Sequence, residues 1–380
     1  MSKYQYIAPC HFGLESVLKQ ELKGIGLWIE STEDGRVYFS GDESALARAN
    51  IFLRTAERVL LMVGTFEARS FDELFEGVKR LPWEEYVPKD GCVLVKKAAS
   101  VRSKLFSPSD IQSIVKKAIV DRLMAKYGFS GRLPESGADF PLRVFINKDR
   151  VTIGLDTTGE SLHKRGYRKK QGEAPIAENL AAALILLSKW TPDKTLIDPF
   201  CGSGTIPIEA ALIAKKMAPG RNRDFAAADW GHIIKKRIWY AAYDEAESQI
   251  IKNVDLDIRG YDIDGTLIRV AQENADMAEV EDLIHLERRP VSELGRMEES
   301  DLQGTIITNP PYGERMTGQR EIERAYMELG DGMERLGGFD SFVITGFPDA
   351  ERFIGRRADK NRKIYNGMIK TYFLKFGGRA

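Results

Sequence analysis

Cysteine is scarce in this sequence: Cys10, Cys92 and Cys201 are the only three in 380 residues. They are scattered, with no Cys-x-x-Cys, which argues against a disulfide framework or a cysteine zinc site and for a reducing compartment. Four histidines without ligand spacing leave no case for a metal. Long apolar runs are also missing. The longest, Leu180 to Leu187, falls far below the roughly 18 residues a bilayer span needs, and no basic-then-apolar leader opens the chain. A cytoplasmic protein is the expectation, with no membrane contact and no obligate protein partner in evidence.

A net charge is lacking too, with 56 basic and 56 acidic residues, but the balance is uneven along the chain. Residues 96–170 hold 17 Lys and Arg against 7 Asp and Glu, and residues 352–380 hold 9 against 1. Two basic blocks on an otherwise acidic chain point to a surface for a polyanion. The length suits two or three domains.

In chain order, residues 1–65 read as a small α+β unit. Its strands are expected at Tyr4–Ala8, Arg36–Ser40 and Val59–Val63, and its helices at Leu14–Leu22 and Glu43–Asn50. A ferredoxin-like arrangement is the natural one. Residues 66–165 form a second unit, with a helix over Phe71–Leu81 and a strand over Cys92–Lys97. A long helix follows, capped by Ser107 with Pro108 at its first position, and then a hairpin across Asn147-Lys148-Asp149. Ile111, Ile114, Val115, Ala118, Ile119 and Leu123 line one face of that helix, and Lys116, Lys117, Arg122 and Lys126 the other.

Residues 166–380 alternate strands and helices. Thr195-Leu196-Ile197-Asp198 reads as a buried strand with an acidic end. Pro199-Phe200-Cys201-Gly202-Ser203-Gly204-Thr205 then turns on two glycines into a helix. About a hundred residues on, the strand-like Gly304–Thr308 runs into Asn309-Pro310-Pro311-Tyr312. Two prolines fix a rigid turn. The Asn309 side-chain oxygen and the Pro310 carbonyl are then able to accept from one planar NH₂ group, while Tyr312 offers a face for stacking. Two aligned acceptors favour the pyramidal, more nucleophilic amine of the transition state.

Together these two motifs resemble the class I S-adenosylmethionine-dependent amino-methyltransferases. The chain is most similar to their THUMP-domain group, which makes N2-methylguanosine in RNA and is often labelled by analogy as N6-adenine-specific DNA methylases. Gly313-Glu314-Arg315, Leu162 to Arg168 and Ala174 to Ala181 extend the match. The resemblance implies a Rossmann-like domain, a mostly parallel seven-stranded sheet with an antiparallel last strand, behind ferredoxin-like and THUMP domains. It implies S-adenosylmethionine held by Asp198, Pro199, Gly202, Ser203, Gly204 and Thr205, with Asp262 on the ribose, and catalysis by Asn309, Pro310, Pro311 and Tyr312. Structured RNA is the implied partner, 23S ribosomal RNA favoured and transfer RNA possible. Candidate RNA contacts are Lys104, Lys116 and Lys117; the basic segment His163–Lys170 reads either as a plain linker or as a contact in which Arg165, Tyr167 and Arg168 face the substrate backbone.

Many relatives place an aspartate at the third strand end to read the cofactor adenine; here Arg288-Arg289-Pro290-Val291 stands instead, leaving main-chain groups or Glu293 for that contact. The insertion at 215–255 is either helical decoration or a wall of the target-base pocket. The basic stretch Arg352–Lys363 reads as a loop on the substrate side or a merely solvated one. DNA N6-adenine methylation uses the same motifs, but the front half carries no helix-turn-helix.

Overall fold

The computed structural model describes residues 4–168, 176–296, 303–312, 318–367 and 369–378. Its first half comprises β1 (Tyr4–Pro9), α1 (Glu15–Gly24), β2 (Trp28–Glu33), β3 (Arg36–Gly41), α2 (Glu43–Phe52) and β4 (Leu60–Glu67). These are followed by α3 (Phe71–Lys79), β5 (Cys92–Val101), α4 (Pro108–Tyr127), β6 (Asp139–Asn147) and β7 (Arg150–Asp156). α2, α3 and α4 start where side chains satisfy their first N–H groups: Asp42 accepts from Ser44 and Ala45, Ser70 from Glu73, and Ser107 from Asp110. Gly128, at φ 72°, ends α4.

All seven strands form one sheet, in the order β2-β3-β1-β4-β7-β6-β5. The two N-terminal units expected from the sequence therefore share a sheet. β4 joins them, pairing with β1 through Tyr6 and Leu61 on one edge and with β7 along the other. β2 has no counterpart in the sequence reading. It is a polar edge strand, Trp-Ile-Glu-Ser-Thr-Glu, exposed at every position but Ile29, so no apolar alternation marks it.

The second half comprises α5 (Glu178–Ser188), β8 (Thr195–Asp198), α6 (Thr205–Ala214), α7 (Lys236–Ser248), β9 (Ile258–Asp262), α8 (Gly265–Met277) and β10 (Ile284–Arg288). It continues through β11 (Gly304–Thr308), α9 (Gln319–Arg335), β12 (Asp340–Thr345), α10 (Ala350–Ile354), β13 (Lys360–Asn366) and β14 (Ile369–Phe376). The sheet order is β10-β9-β8-β11-β12-β14-β13, and β14 runs antiparallel to both its neighbours. The order reverses between β8 and β11, so a crevice opens at their carboxyl ends, where open α/β sheets bind ligands. The expected loop Arg352–Lys363 is in fact the end of α10 and the start of edge strand β13, whose polar sequence hid its period.

The insertion fastens the two halves together. Trp230 is fully buried, stacks on Phe140 at 4.9 Å, and donates its indole N–H to the Asp139 carbonyl at 2.9 Å. Gly220 approaches α2 so closely that a Cβ there would lie 2.7 Å from the Ile51 Cα. Arg48 of α2 makes a two-pronged pair with Glu245 of α7, at 2.9 and 2.8 Å. The insertion arginines are absorbed in the same way. Arg223 donates to the carbonyls of Glu160, Ser161 and Lys164, and Arg221 pairs with Glu247 and Glu279. Of the two readings open for the insertion, a wall for a target base finds no support in these contacts.

Candidate active site at the ends of β8 and β11

β8 is buried at all four positions, and its last side chain, Asp198, is 1% exposed. Asp198 Oδ1 accepts from Thr308 Oγ1 at 2.7 Å and from the Phe200 N–H at 3.2 Å. Burial, with Asp262 nearby, pushes the Asp198 carboxyl up to about 7. The turn that follows uses positive φ at Gly202 (53°) and Gly204 (80°), the latter serving as N-cap of α6. A Cβ at Gly204 would also sit 3.0 Å from the Ala271 Cβ, so α6 and α8 approach through a hydrogen atom.

Asp262 closes the turn from β9. Its Oδ2 accepts from the Gly202 N–H at 3.0 Å and its Oδ1 from the Asp264 N–H at 2.9 Å. Asp264 itself caps α8 through Thr266, as expected. Burial raises the Asp262 carboxyl as well. A buried carboxyl and a half-buried one at one turn suit a cationic, hydroxyl-bearing ligand.

These groups and the β11 turn line one cavity of about 930 Å³. Asp198, Pro199, Gly202, Ser203, Thr205 and Asp262 stand on one side, and Asn309 and Pro311 on another. Gly204 lies behind the lining and shapes the turn instead. Two buried polar atoms here have no hydrogen-bond partner among the described residues: Ser203 Oγ and Asn309 Oδ1. An orphaned amide oxygen at a cavity wall is an acceptor kept for a donor that arrives with a ligand. Ile263, Leu267, Pro290 and Val291 add an apolar shelf, and α9 contributes Glu321, Arg324, Ala325 and Glu328. The sequence reading missed this shelf and the α9 wall, because nothing local marks an ordinary helix that crosses a cavity by tertiary packing.

Several expectations need correction. Tyr312 is 3% exposed and is absent from the cavity lining. Its ring packs against Gly346, where a Cβ would lie 3.1 Å from Tyr312 Cδ2, so the open stacking face expected of it is covered by β12's end. Pro310 is buried too. At the third strand end, Arg289 turns inward to pair with Glu287 at 2.9 Å and lie 4.3 Å over the Tyr261 ring. Ser292, not Glu293, reaches the cavity.

The joining segment departs furthest from its sequence reading. Arg165 is 6% exposed; it pairs with buried Glu209 of α6 at 3.3 Å and donates to the carbonyls of Leu162 and Arg54. The Tyr167 hydroxyl donates to the same Glu209 at 3.2 Å. Arg168 donates to Thr205 Oγ1 at 2.6 Å and to the Ile176 carbonyl, and stands 3.5 Å from Glu178. A guanidinium surrounded by such partners is not offered to a phosphate: these three side chains are structural, sealing the segment onto α5 and α6. His163 is pushed down to about 4 by burial and the neighbouring Arg165, so it is neutral at physiological pH. Lys169, Lys170, Ala174, Pro175 and Gly313-Glu314-Arg315 lie outside the described residues.

On the THUMP-like half, Lys104 and Lys117 are exposed, whereas Lys116 pairs with Glu135 at 3.1 Å. Arg122 and Lys126 of the same face are drawn to Glu84, at 2.7 and 3.5 Å. The basic face of α4 is thus partly neutralised from within the fold. Among the described residues no cluster of His, Cys, Asp or Glu is arranged to hold a metal ion.

Comparison with known proteins agrees with this geometry. The model of the family described as "RMKL-like, methyltransferase domain" matches residues 165–375. The RlmL ferredoxin-like domain matches residues 5–60 and the THUMP domain residues 68–156. A Bacillus subtilis protein named "Putative RNA methyltransferase YpsC" is 42% identical over 100% of this chain and 97% of its own length. The ribosomal RNA large subunit methyltransferase K/L of Cellvibrio japonicus is 34% identical over 98% of this chain, which spans only 51% of that longer relative. Among solved structures, SMU.472, described as a putative methyltransferase complexed with SAH, superposes with a TM-score of 0.92 at 41% identity, covering 100% of this chain and 99% of that one.

Proposed function

We propose that this chain, which belongs to the RMKL-like methyltransferase family, transfers a methyl group from S-adenosylmethionine to the exocyclic N2 amine of a guanosine in large-subunit ribosomal RNA. The observation that carries this reading is the unpartnered Asn309 Oδ1 on the wall of the same cavity that the Asp198–Thr205 turn and Asp262 line. S-adenosylmethionine supplies a methyl group activated by a positive sulfonium.

The residues present fit that donor. Asp198 and the glycine turn hold its methionine portion, Asp262 accepts from ribose hydroxyls, and Ile263, Leu267, Pro290 and Val291 bracket the adenine. Asn309 Oδ1, on the cavity wall, accepts from the target amine and orients its lone pair. Fixing that geometry is the protein's main contribution, worth up to about 7–11 kcal/mol in favourable intramolecular cases. The N-methylated ammonium first formed is acidic enough to release a proton to solvent, so no general base is required.

The RNA reading rests on the THUMP domain with its exposed Lys104 and Lys117, and on relatives named for RNA methylation. Incubation with methyl-labelled S-adenosylmethionine and separate RNA, DNA and protein acceptors tests it. Label should appear in RNA, and nucleoside digestion followed by mass spectrometry should identify N2-methylguanosine. Label in DNA adenine with none in RNA overturns the reading; N6-methyladenosine in RNA overturns the choice of base.

A further inference from the structure

The edge ribbon β13–β14 carries a surface that the reaction chemistry leaves unexplained. In its antiparallel register Lys363 faces Tyr372 and Tyr365 faces Lys370. Directly opposed residues of a ladder share a face, so two lysines and two tyrosines alternate as a checkerboard on one side. On the other side of the same ribbon lie the buried Ile364 and Thr371. Lys363, Lys370 and Tyr372 are exposed, and Tyr365 is half-buried. The ammonium of Lys363 lies 5.1 Å from the Tyr365 ring centroid, and that of Lys370 lies 5.1 Å from the Tyr372 ring. Phe12 of the N-terminal half extends the patch, meeting Tyr365 edge-on at 5.8 Å.

Two further facts place this face beside the reaction. Tyr372 pairs across the ladder with Thr345 of β12, whose Oγ1 meets the hydroxyl of Tyr326 in α9, the helix that walls the cavity. The next residue, Gly346, is the one packed against Tyr312, and Ile369 at the start of β14 adjoins the same spot. The checkerboard therefore begins where the Asn-Pro-Pro-Tyr turn ends. The surrounding sequence is the strongly basic block 352–380.

From this juxtaposition we propose that the Lys363–Tyr372 and Tyr365–Lys370 pairs bind a single-stranded stretch of the RNA substrate flanking the target nucleotide, bases stacking on the tyrosines and phosphates meeting the lysines. Alternating flat rings and cations fit an unpaired strand, whose bases and phosphates alternate in the same way. A duplex would present phosphates to the lysines and leave the rings without bases. The inference rests on the RNA reading above. It also gives Tyr312 a role in place of stacking: packed against Gly346, it fixes the junction between clamp and ribbon.

The test is fluorescence anisotropy of the full chain with a short labelled single-stranded RNA, and with a duplex of the same length, across a series of salt concentrations. Tyr372→Ala should weaken single-strand binding by about tenfold, with Tyr372→Phe restoring it, because a stacked base contributes through the ring and not the hydroxyl. Lys363→Gln with Lys370→Gln should lower the slope of log affinity against log salt by about 1.4, two phosphates at about 0.7 each. Affinity for S-adenosylhomocysteine, measured by calorimetry, should not change in any of them. Wild-type affinity and slope in both variants overturn the inference while leaving the methyl-transfer reading intact. A wild-type protein that neither binds nor methylates RNA overturns both. An equal loss on duplex and single strand overturns the preference for unpaired RNA.

Discussion

Thr308 Oγ1 donates a 2.7 Å hydrogen bond to Asp198 Oδ1, tying the last residue of β11 to the last residue of β8. The two motifs that stand about a hundred residues apart in sequence are thereby joined at their roots. The same bond supports the charged form of a carboxylate that burial otherwise drives towards its protonated form.

A pH dependence follows. An aspartate titrates near 3.9 when unfolded, and Asp198 titrates at about 7 in the folded chain. Between these values the folded state holds the extra proton, so stability falls as pH rises from about 4 and levels off above about 7. The loss is up to about 4 kcal/mol, with Asp262, also raised, adding in the same direction. Urea unfolding of the ligand-free protein at a series of pH values should show this decline, and Asp198→Asn should flatten most of it. The same variant should lose most of its affinity for S-adenosylhomocysteine. A decline as steep in Asp198→Asn as in the parent would mean that another group carries it.

Asn309→Ala separates holding from reacting. Its Oδ1 has no partner among the described residues, so removing that oxygen breaks no hydrogen bond there and should cost little stability. By analogy with the loss of one transition-state hydrogen-bonding group, kcat should fall about 10²–10³-fold. Affinity for S-adenosylhomocysteine should stay within about twofold, because the cradle proposed for the donor is built from other residues. An unchanged kcat would remove Asn309 from the reaction.

How much of this was legible in the sequence differs from residue to residue. The turn at Asp198–Thr205 and the acidic end of β9 were visible because backbone chemistry demands them: glycines where φ is positive, carboxylates at strand ends. The parallel core strands showed as short apolar runs. The edge strands β2 and β13 did not, since a strand with one solvated face and one free edge has little apolar alternation to show. Arg165, Tyr167 and Arg168 looked like an RNA contact because a basic, aromatic string has the same composition whether its charges meet phosphates or Glu209 and Glu178. Those acids lie up to 44 residues away in sequence, and only folding brings them into reach. Tyr312 failed as a stacking face for a related reason. What covers a ring is decided by Gly346, a residue without a side chain to read.

The Arg165–Glu209 pair gives a sharp contrast between structural and substrate-binding cations. Both side chains are almost wholly buried, at 3% and 0% exposure. Removing one partner from such a pair typically costs about 3–5 kcal/mol, because the other is left charged without compensation. Arg165→Ala should therefore lower the unfolding free energy by about that amount. At a temperature where the variant is folded, its salt slope for RNA binding should match the parent. A slope reduced by about one phosphate's worth, about 0.7 for a single strand, would restore Arg165 to the RNA surface.

Gly220 tests whether the two halves act as one body. Its N–H donates to the Ile51 carbonyl at 2.9 Å, and a Cβ would meet the Ile51 Cα at 2.7 Å and the Asn50 carbonyl oxygen at 2.8 Å. All three of these partners are backbone atoms of α2, which cannot move aside as a side chain can. Gly220→Ala should therefore loosen the insertion from the N-terminal half without touching the cavity lining, which takes nothing from residues 1–165. Calorimetric unfolding should broaden or split into two transitions as the shared cooperativity is lost. Affinity for S-adenosylhomocysteine should hold. RNA affinity should fall by about tenfold or more, since a THUMP surface and a catalytic domain that no longer sit at a fixed distance lose the advantage of binding one strand together. A single sharp transition with parental RNA affinity would show that Trp230 and the Arg48–Glu245 pair hold the halves together by themselves.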